Sequence, residues 1–129
     1  DLSKEVRDAV MEKIPAFGSP INPIDVTAHI LRTIENVAEV GKILEKSNEV
    51  DAMILAPTTI GHDASMAIAK DFIKMIEGSK IPTMVHWYTG STNMEAIKLI
   101  REAGIPAFIE YDSVGRALKR RKDFFKLIK

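Results

Sequence analysis

The chain has no cysteine, which removes thiol catalysis, disulfide bracing and cysteine-ligated metal from consideration. It has no net charge either. Its 18 basic residues offset 18 acidic ones, so no whole-chain field draws nucleic acid or acidic lipid. Aromatic residues make up only 6% of the sequence, with a single tryptophan, and none is interleaved with basic residues as a stacking platform for nucleic acid. No apolar run approaches the roughly 18 residues that a membrane span needs, and the first residues carry no signal-peptide pattern. No membrane and no nucleic-acid partner are therefore expected, and a cytoplasmic location is. The three histidines are scattered without a carboxylate cluster, and the His62–Asp63 pair alone is too small a ligand set, so no metal site is expected.

What remains is the profile of one globular domain over residues 1–129, 46% hydrophobic and 28% charged. Ser3 can cap a short helix with Val6, Val10 and Met11 on one face, stopped by Pro15. Residues 16–25, with Gly18, Pro20 and Pro23, read as extended loop. Asp25 or Thr27 then caps a long helix with Ile30, Leu31, Ile34, Val37 and Leu44 at helical spacing.

Three strand–helix units follow. The strands are predicted at Ala52–Ala56, Ile81–Trp87 and Ile105–Ile109. The helices are predicted at about 64–76 and 92–103, the latter stopped by Gly104, and from a cap at Asp112 or Ser113 to the end of the chain. Such alternation implies an α/β fold with a parallel sheet covered by helices. In open sheets of this kind ligands bind beyond the carboxyl ends of the strands, which here carry Thr58–His62, His86–Asn93 and Glu110–Ser113.

The segment VDAMILAPTTIGHD, residues 50–63, is the most informative. A buried strand runs into a small polar loop and then a helix start opened by Asp63. First-turn amides lack intrahelical acceptors there and the helix dipole favours an anion. Thr58, Thr59, Ile60, Gly61 and His62 are the candidate anion-binding residues. Each has a plainer reading, the threonines as turn residues and His62 as a solvated loop histidine. Asn22, Asp25, His86, Trp87 and Gly90 are candidate pocket-lining residues. Against that, Asn22 and Asp25 can simply fix a proline-rich loop, His86 can be a satisfied strand histidine, and Trp87 can pack against a neighbour. Gly90 is expected to serve a turn with positive φ. The basic run Lys119–Lys122 reads as a solvated helix face beside a stripe of Val114, Leu118, Phe125 and Ile128.

Several motifs, taken in order, resemble one family. INPIDVT at 21–27, VDAMILAPT at 50–58, IPTMVHWYTGSTNMEAIKLIREAGIPAF at 81–108 and EYDSVGRALKRRKDF at 110–124 are similar to segments of the last flavodoxin-like domain of NDP-forming acyl-CoA synthetases, the ADP-forming acetyl-CoA synthetases and their relatives. The resemblance implies a three-layer flavodoxin-like or Rossmann-like parallel sheet. It also implies a parent reaction in which carboxylic acid, CoA and ATP, with Mg, give acyl-CoA, ADP and phosphate through acyl phosphate and a phosphohistidine.

The departures are as informative. The family's leading strand, Gly-rich turn, helix and strand have no counterpart, so the fold looks truncated at its N-terminal βαβ portion. The Ser-His-Thr-Gly segment of the phosphorylated histidine is missing, as are the CoA-binding fingerprint and the ATP-grasp acidic pair. No catalytic residue and no cofactor is therefore expected on this chain alone. CoA-binding and ATP-grasp domains or subunits are its expected partners, a small carboxylic acid its expected ligand, and homo-oligomers its expected state, since a short sheet leaves an edge to cover. The alternative is a stand-alone receiver-like or flavodoxin-like binding domain. The acceptor aspartate of a receiver is missing from the strand ends, which read APTT, WYTG and EYDS.

Overall fold

The computed structural model describes residues 1–28 and 34–127 of the chain. Ile30, Leu31 and Ile128, named above, lie outside the described residues, as does His29, one of the three histidines. In order, the elements are α1 (Lys4–Met11), α2 (Ile34–Ser47), β1 (Met53–Leu55), α3 (His62–Glu77), β2 (Thr83–His86), a 3-10 turn at Ser91–Asn93, α4 (Met94–Glu102), β3 (Ala107–Phe108) and α5 (Tyr111–Leu127). The fold is α/β, with a three-stranded parallel sheet ordered β1-β2-β3. The chain divides into two compact units, Asp1–Met53 with Asp71–Pro82, and Ile54–Lys70 with Thr83–Lys129.

In the first unit, Ser3 caps α1 by accepting the Val6 amide on its hydroxyl at 3.3 Å. The helix ends at Met11, ahead of Pro15. α1 packs on α2, and Val6, Val10, Ile14, Val40, Leu44 and Ile81 are members of one apolar core. Each such side chain contributes about 1.5–3 kcal/mol when fully removed from water. The following loop is clasped, because Ser19 and Asp25 each donate an amide to the other's carbonyl, at 3.0 and 2.9 Å. A Cβ on Gly18 would come within 2.6 Å of the Asp25 carbonyl oxygen, so the close approach of the two strands of the clasp requires glycine. Asp25 does not open a helix. Its carboxylate accepts the Thr27 amide at 2.8 Å, and Thr27 has φ +62, outside the conformation of a helix cap.

The second unit carries the working part of the sheet. β2 pairs in parallel with β3, Val85 opposite Ala107 and His86 opposite Phe108. α4 packs on β3, and α5 packs on both β2 and β3. Every residue of β2 is buried, as a central strand requires, whereas Ile54 on the outer strand β1 is 46% exposed. All three strands are shorter than the apolar runs that announce them.

The end of α4 is a Schellman motif, with Gly104 at φ +80 donating to the Arg101 carbonyl and Ile105 to that of Ile100. Ile105 and Ile100 are both buried, the apolar contact positions of such a motif. Two helix starts lie earlier than expected. The Ser65 amide bonds the Gly61 carbonyl, which puts the α3 cap at Gly61 rather than Asp63. The Ser113 amide bonds the Glu110 carbonyl, so α5 opens at Tyr111 and not after Asp112 or Ser113. Because the strands follow one another in sequence order, none of the three marks a reversal of winding. The crevice that forms at such a reversal is not made between these strands.

Candidate functional site

The loops at the carboxyl ends of the strands are joined by side chains. Thr59 donates its hydroxyl to the Tyr88 carbonyl at 3.2 Å. The Trp87 indole N–H donates to the Thr58 carbonyl at 3.0 Å. Asn93 donates its amide to the Ile60 carbonyl at 2.8 Å and accepts the Thr89 hydroxyl at 2.7 Å. The loop after β1 is thus held at three successive residues by the loop after β2.

Asn93 occupies the cap position of α4 without capping it. Its side chain is spent on the neighbouring loop instead, and at 1% exposure it is satisfied on both sides. Likewise His86 reaches the loop after β3, its Nε2 lying 3.2 Å from the Ile109 carbonyl. A carbonyl only accepts, so this bond requires the proton on Nε2.

At the start of α3, Gly61 has no side chain with which to cap. His62, Asp63 and Ala64 therefore have no intrahelical acceptor for their amides. Ser65 is buried and donates its hydroxyl to the His62 carbonyl at 2.6 Å. The imidazole of His62 lies 3.6 Å from the carboxylate of Glu95, both side chains exposed. The groups open to an anion at this edge are the first-turn amides, the exposed Thr58 hydroxyl and, after rotation away from Glu95, the His62 ring.

The structure brings Thr58, Thr59, Ile60 and Trp87 together through these bonds, whereas His86 is tied instead to the loop after β3. It changes how four of the candidates must be read. Trp87 is fully buried, so it walls nothing open and instead fixes the loop above it. Gly90 has φ −83, so the expected positive φ is not needed, and an added Cβ there would meet nothing within 4 Å. Asn22 and Asp25 belong to the first unit, where Asp25 closes the Ser19–Asp25 clasp.

Sequence reasoning missed Asn93, Glu95 and Tyr111. The Tyr111 ring lies 4.1 Å from that of His86 and 6.0 Å from that of Tyr88. Asn93 sits in a small polar run after an apolar strand, which was the one available signal. A cavity of about 290 Å³ opens in the first unit, lined among others by Val37, Met53, Phe72, Met75, Lys42 and Asp71; none of Thr58–His62 lines it. Among the described residues, no group of three or more histidine, aspartate or glutamate side chains could hold a metal ion.

No family model, no curated protein and no solved structure matches this chain.

Proposed function

We propose that this chain is the carboxyl-terminal flavodoxin-like domain of an NDP-forming acyl-CoA synthetase, and that it presents the Thr58–His62 edge to the carboxylic acid and to the phosphoryl group in transit. In this reading the sheet is part of a three-layer fold. The observation that carries it is the triple tie of the loop after β1, through Thr59, Trp87 and Asn93. An edge held this way is organised before a ligand arrives, so little is spent on ordering it.

The domain acts by orientation and electrostatics. A bound anion near the α3 start gains about 0.3–1 kcal/mol from the helix end when exposed, and up to about 2 kcal/mol when partly buried. The Thr59 hydroxyl is committed as a donor to Tyr88, so the amides and Thr58 carry the contact. No side chain here forms a covalent bond. Mg, ATP and CoA belong in this proposal to CoA-binding and ATP-grasp partners. The 129-residue chain alone is expected to form no CoA thioester.

Gly61→Asp is the cleanest test. A Cβ there meets nothing within 4 Å, and aspartate is a favourable cap, so folding is retained. The new carboxylate would oppose an anion by on the order of 4 kcal/mol at close range and an effective dielectric near 20, before screening. In the full-length synthetase, acyl-CoA formation should fall at least roughly tenfold. Unchanged turnover and acid affinity would remove this edge from the reaction.

A further inference from the structure

The same edge displays two large rings in solvent. Tyr88 and Tyr111 are 63% and 70% exposed, and their centroids lie 6.0 Å apart with the planes at 30°. Behind Tyr111 stands His86, 4% exposed, its ring 4.1 Å away at 37°. Neither tyrosine hangs on loose backbone. The Tyr88 carbonyl accepts the Thr59 hydroxyl, while Tyr111 opens α5 and rests on a histidine whose Nε2 is committed to Ile109. Tyrosine offers broad, rigid contact area at small conformational cost. Rings in this tilted arrangement leave faces on which a further planar ring can stack at centroid distances of about 4.5–7 Å.

Charge decides which way round a ligand would lie. Glu110 and Asp112 flank Tyr111. Glu110 accepts the Ser113 hydroxyl at 3.5 Å, and Asp112 lies 3.9 Å from Arg116. A carboxylate is disfavoured beside that acidic pair, so the tyrosine end suits the uncharged part of a ligand. The Thr59–Tyr88 bond places this aromatic end one hydrogen bond from the loop after β1.

We propose that the acid accepted at this edge is an aromatic carboxylic acid, its ring stacked on Tyr88 and Tyr111 and its carboxylate turned towards Thr58–His62. The inference rests on the acid-site reading above and adds the substrate class to it.

Calorimetric titration of the 129-residue chain tests it, using benzoate, phenylacetate and 3-phenylpropanoate against acetate, propionate and cyclohexylacetate. The series of aromatic acids also reads the spacing between ring and carboxylate. The best aromatic acid is expected to bind at least roughly tenfold more tightly than acetate and severalfold more tightly than cyclohexylacetate. Tyr88→Ala and Tyr111→Ala should each collapse the ratio between aromatic acid and acetate. Circular dichroism melts check that these exposed positions have not altered the fold. Cyclohexylacetate binding as well as phenylacetate, or an aromatic preference undiminished in both variants, overturns the inference. Acetate binding as tightly as every aromatic acid overturns it while leaving the acid site standing. Failure of all six acids to bind overturns the inference and the acid site together.

Discussion

Several long-range ties of side chains in the first unit end on carboxylates. Glu49 accepts the Ser3 amide at 2.7 Å, and Glu45 accepts the Ser79 hydroxyl at 3.2 Å and the Lys80 amide at 3.3 Å. In the second unit the corresponding ties end on neutral carbonyls, those of Thr58, Ile60 and Tyr88. The charged acceptors make stronger hydrogen bonds per contact, but they can be protonated away. Neutral carbonyls cannot. The carboxylate ties of the first unit can therefore be weakened by acid, whereas the three ties that hold the loop after β1 end on acceptors that do not titrate.

The contrast can be broken most forcefully at Trp87. Trp87→Ala removes a fully buried ring and its bond to Thr58, and is expected to cost about 3–5 kcal/mol in chemical denaturation. Trp87→Phe separates the two effects, since it keeps most of the packing and leaves the Thr58 carbonyl without its donor. If Trp87→Phe were as damaging as Trp87→Ala, the hydrogen bond would outweigh the ring. Asn93→Ala comes next. It strips the Ile60 carbonyl and the Thr89 hydroxyl of a shared partner at a buried site, at a cost of roughly 1–3 kcal/mol. Trp87 emission should also shift in that variant, because the loop it reports on is loosened. A stability change within about 0.5 kcal/mol would mean that the tie is ornamental.

In the first unit, Gly18→Ala should cost about 1–3 kcal/mol, because its methyl group meets backbone rather than a yielding side chain. Gly104→Ala, in the second, should cost about 1 kcal/mol, the ordinary price of a left-handed alanine in a place where nothing crowds the new Cβ. A larger loss at Gly104 than at Gly18 would reverse the steric ranking drawn here.

The smallest effect concerns pH. The Ser3 amide holds the Glu49 carboxyl below its ordinary range, and Lys13 does the same for Glu39. A depressed carboxyl contributes stability above its unfolded pKa and loses it as pH falls through the folded value. Urea midpoints of the parent chain and Glu49→Gln should therefore differ near neutrality and converge in acid. The Lys13 ammonium is raised by Glu39, so its share persists below the ordinary lysine value and fades as pH rises through the folded one. A gap between parent and Glu49→Gln that stays constant from neutral to acid pH would show that Glu49 acts there without its charge.

The alternation of strands and helices was legible because apolar runs and helical spacing are local signals. Their boundaries were less so. Gly61 takes the α3 cap through its backbone carbonyl, and Glu110 does the same for α5, and backbone acceptance leaves no mark on residue type. The Thr58–His62 loop could be singled out from its position after a strand. Its fastening could not be, since Asn93 and Ile60 meet across 33 residues and that pairing has no period in sequence. Trp87 was a candidate pocket wall because it ends the predicted strand, yet its indole N–H finds a carbonyl and lets the ring go fully inside. Tyr111 lay inside the Glu110–Ser113 strand end, but its packing against the ring of a histidine on another strand has no mark in the sequence.

The clasp between Ser19 and Asp25 has a kinetic consequence. Two amides in a proline-rich stretch without helix or ladder are each bound to the other's carbonyl. In deuterated buffer they should stand out as slow exchangers flanked by fast ones, since both must be released in a single opening event. The lifetime of that pair then becomes a private clock for the loop, readable without touching any residue of the second unit.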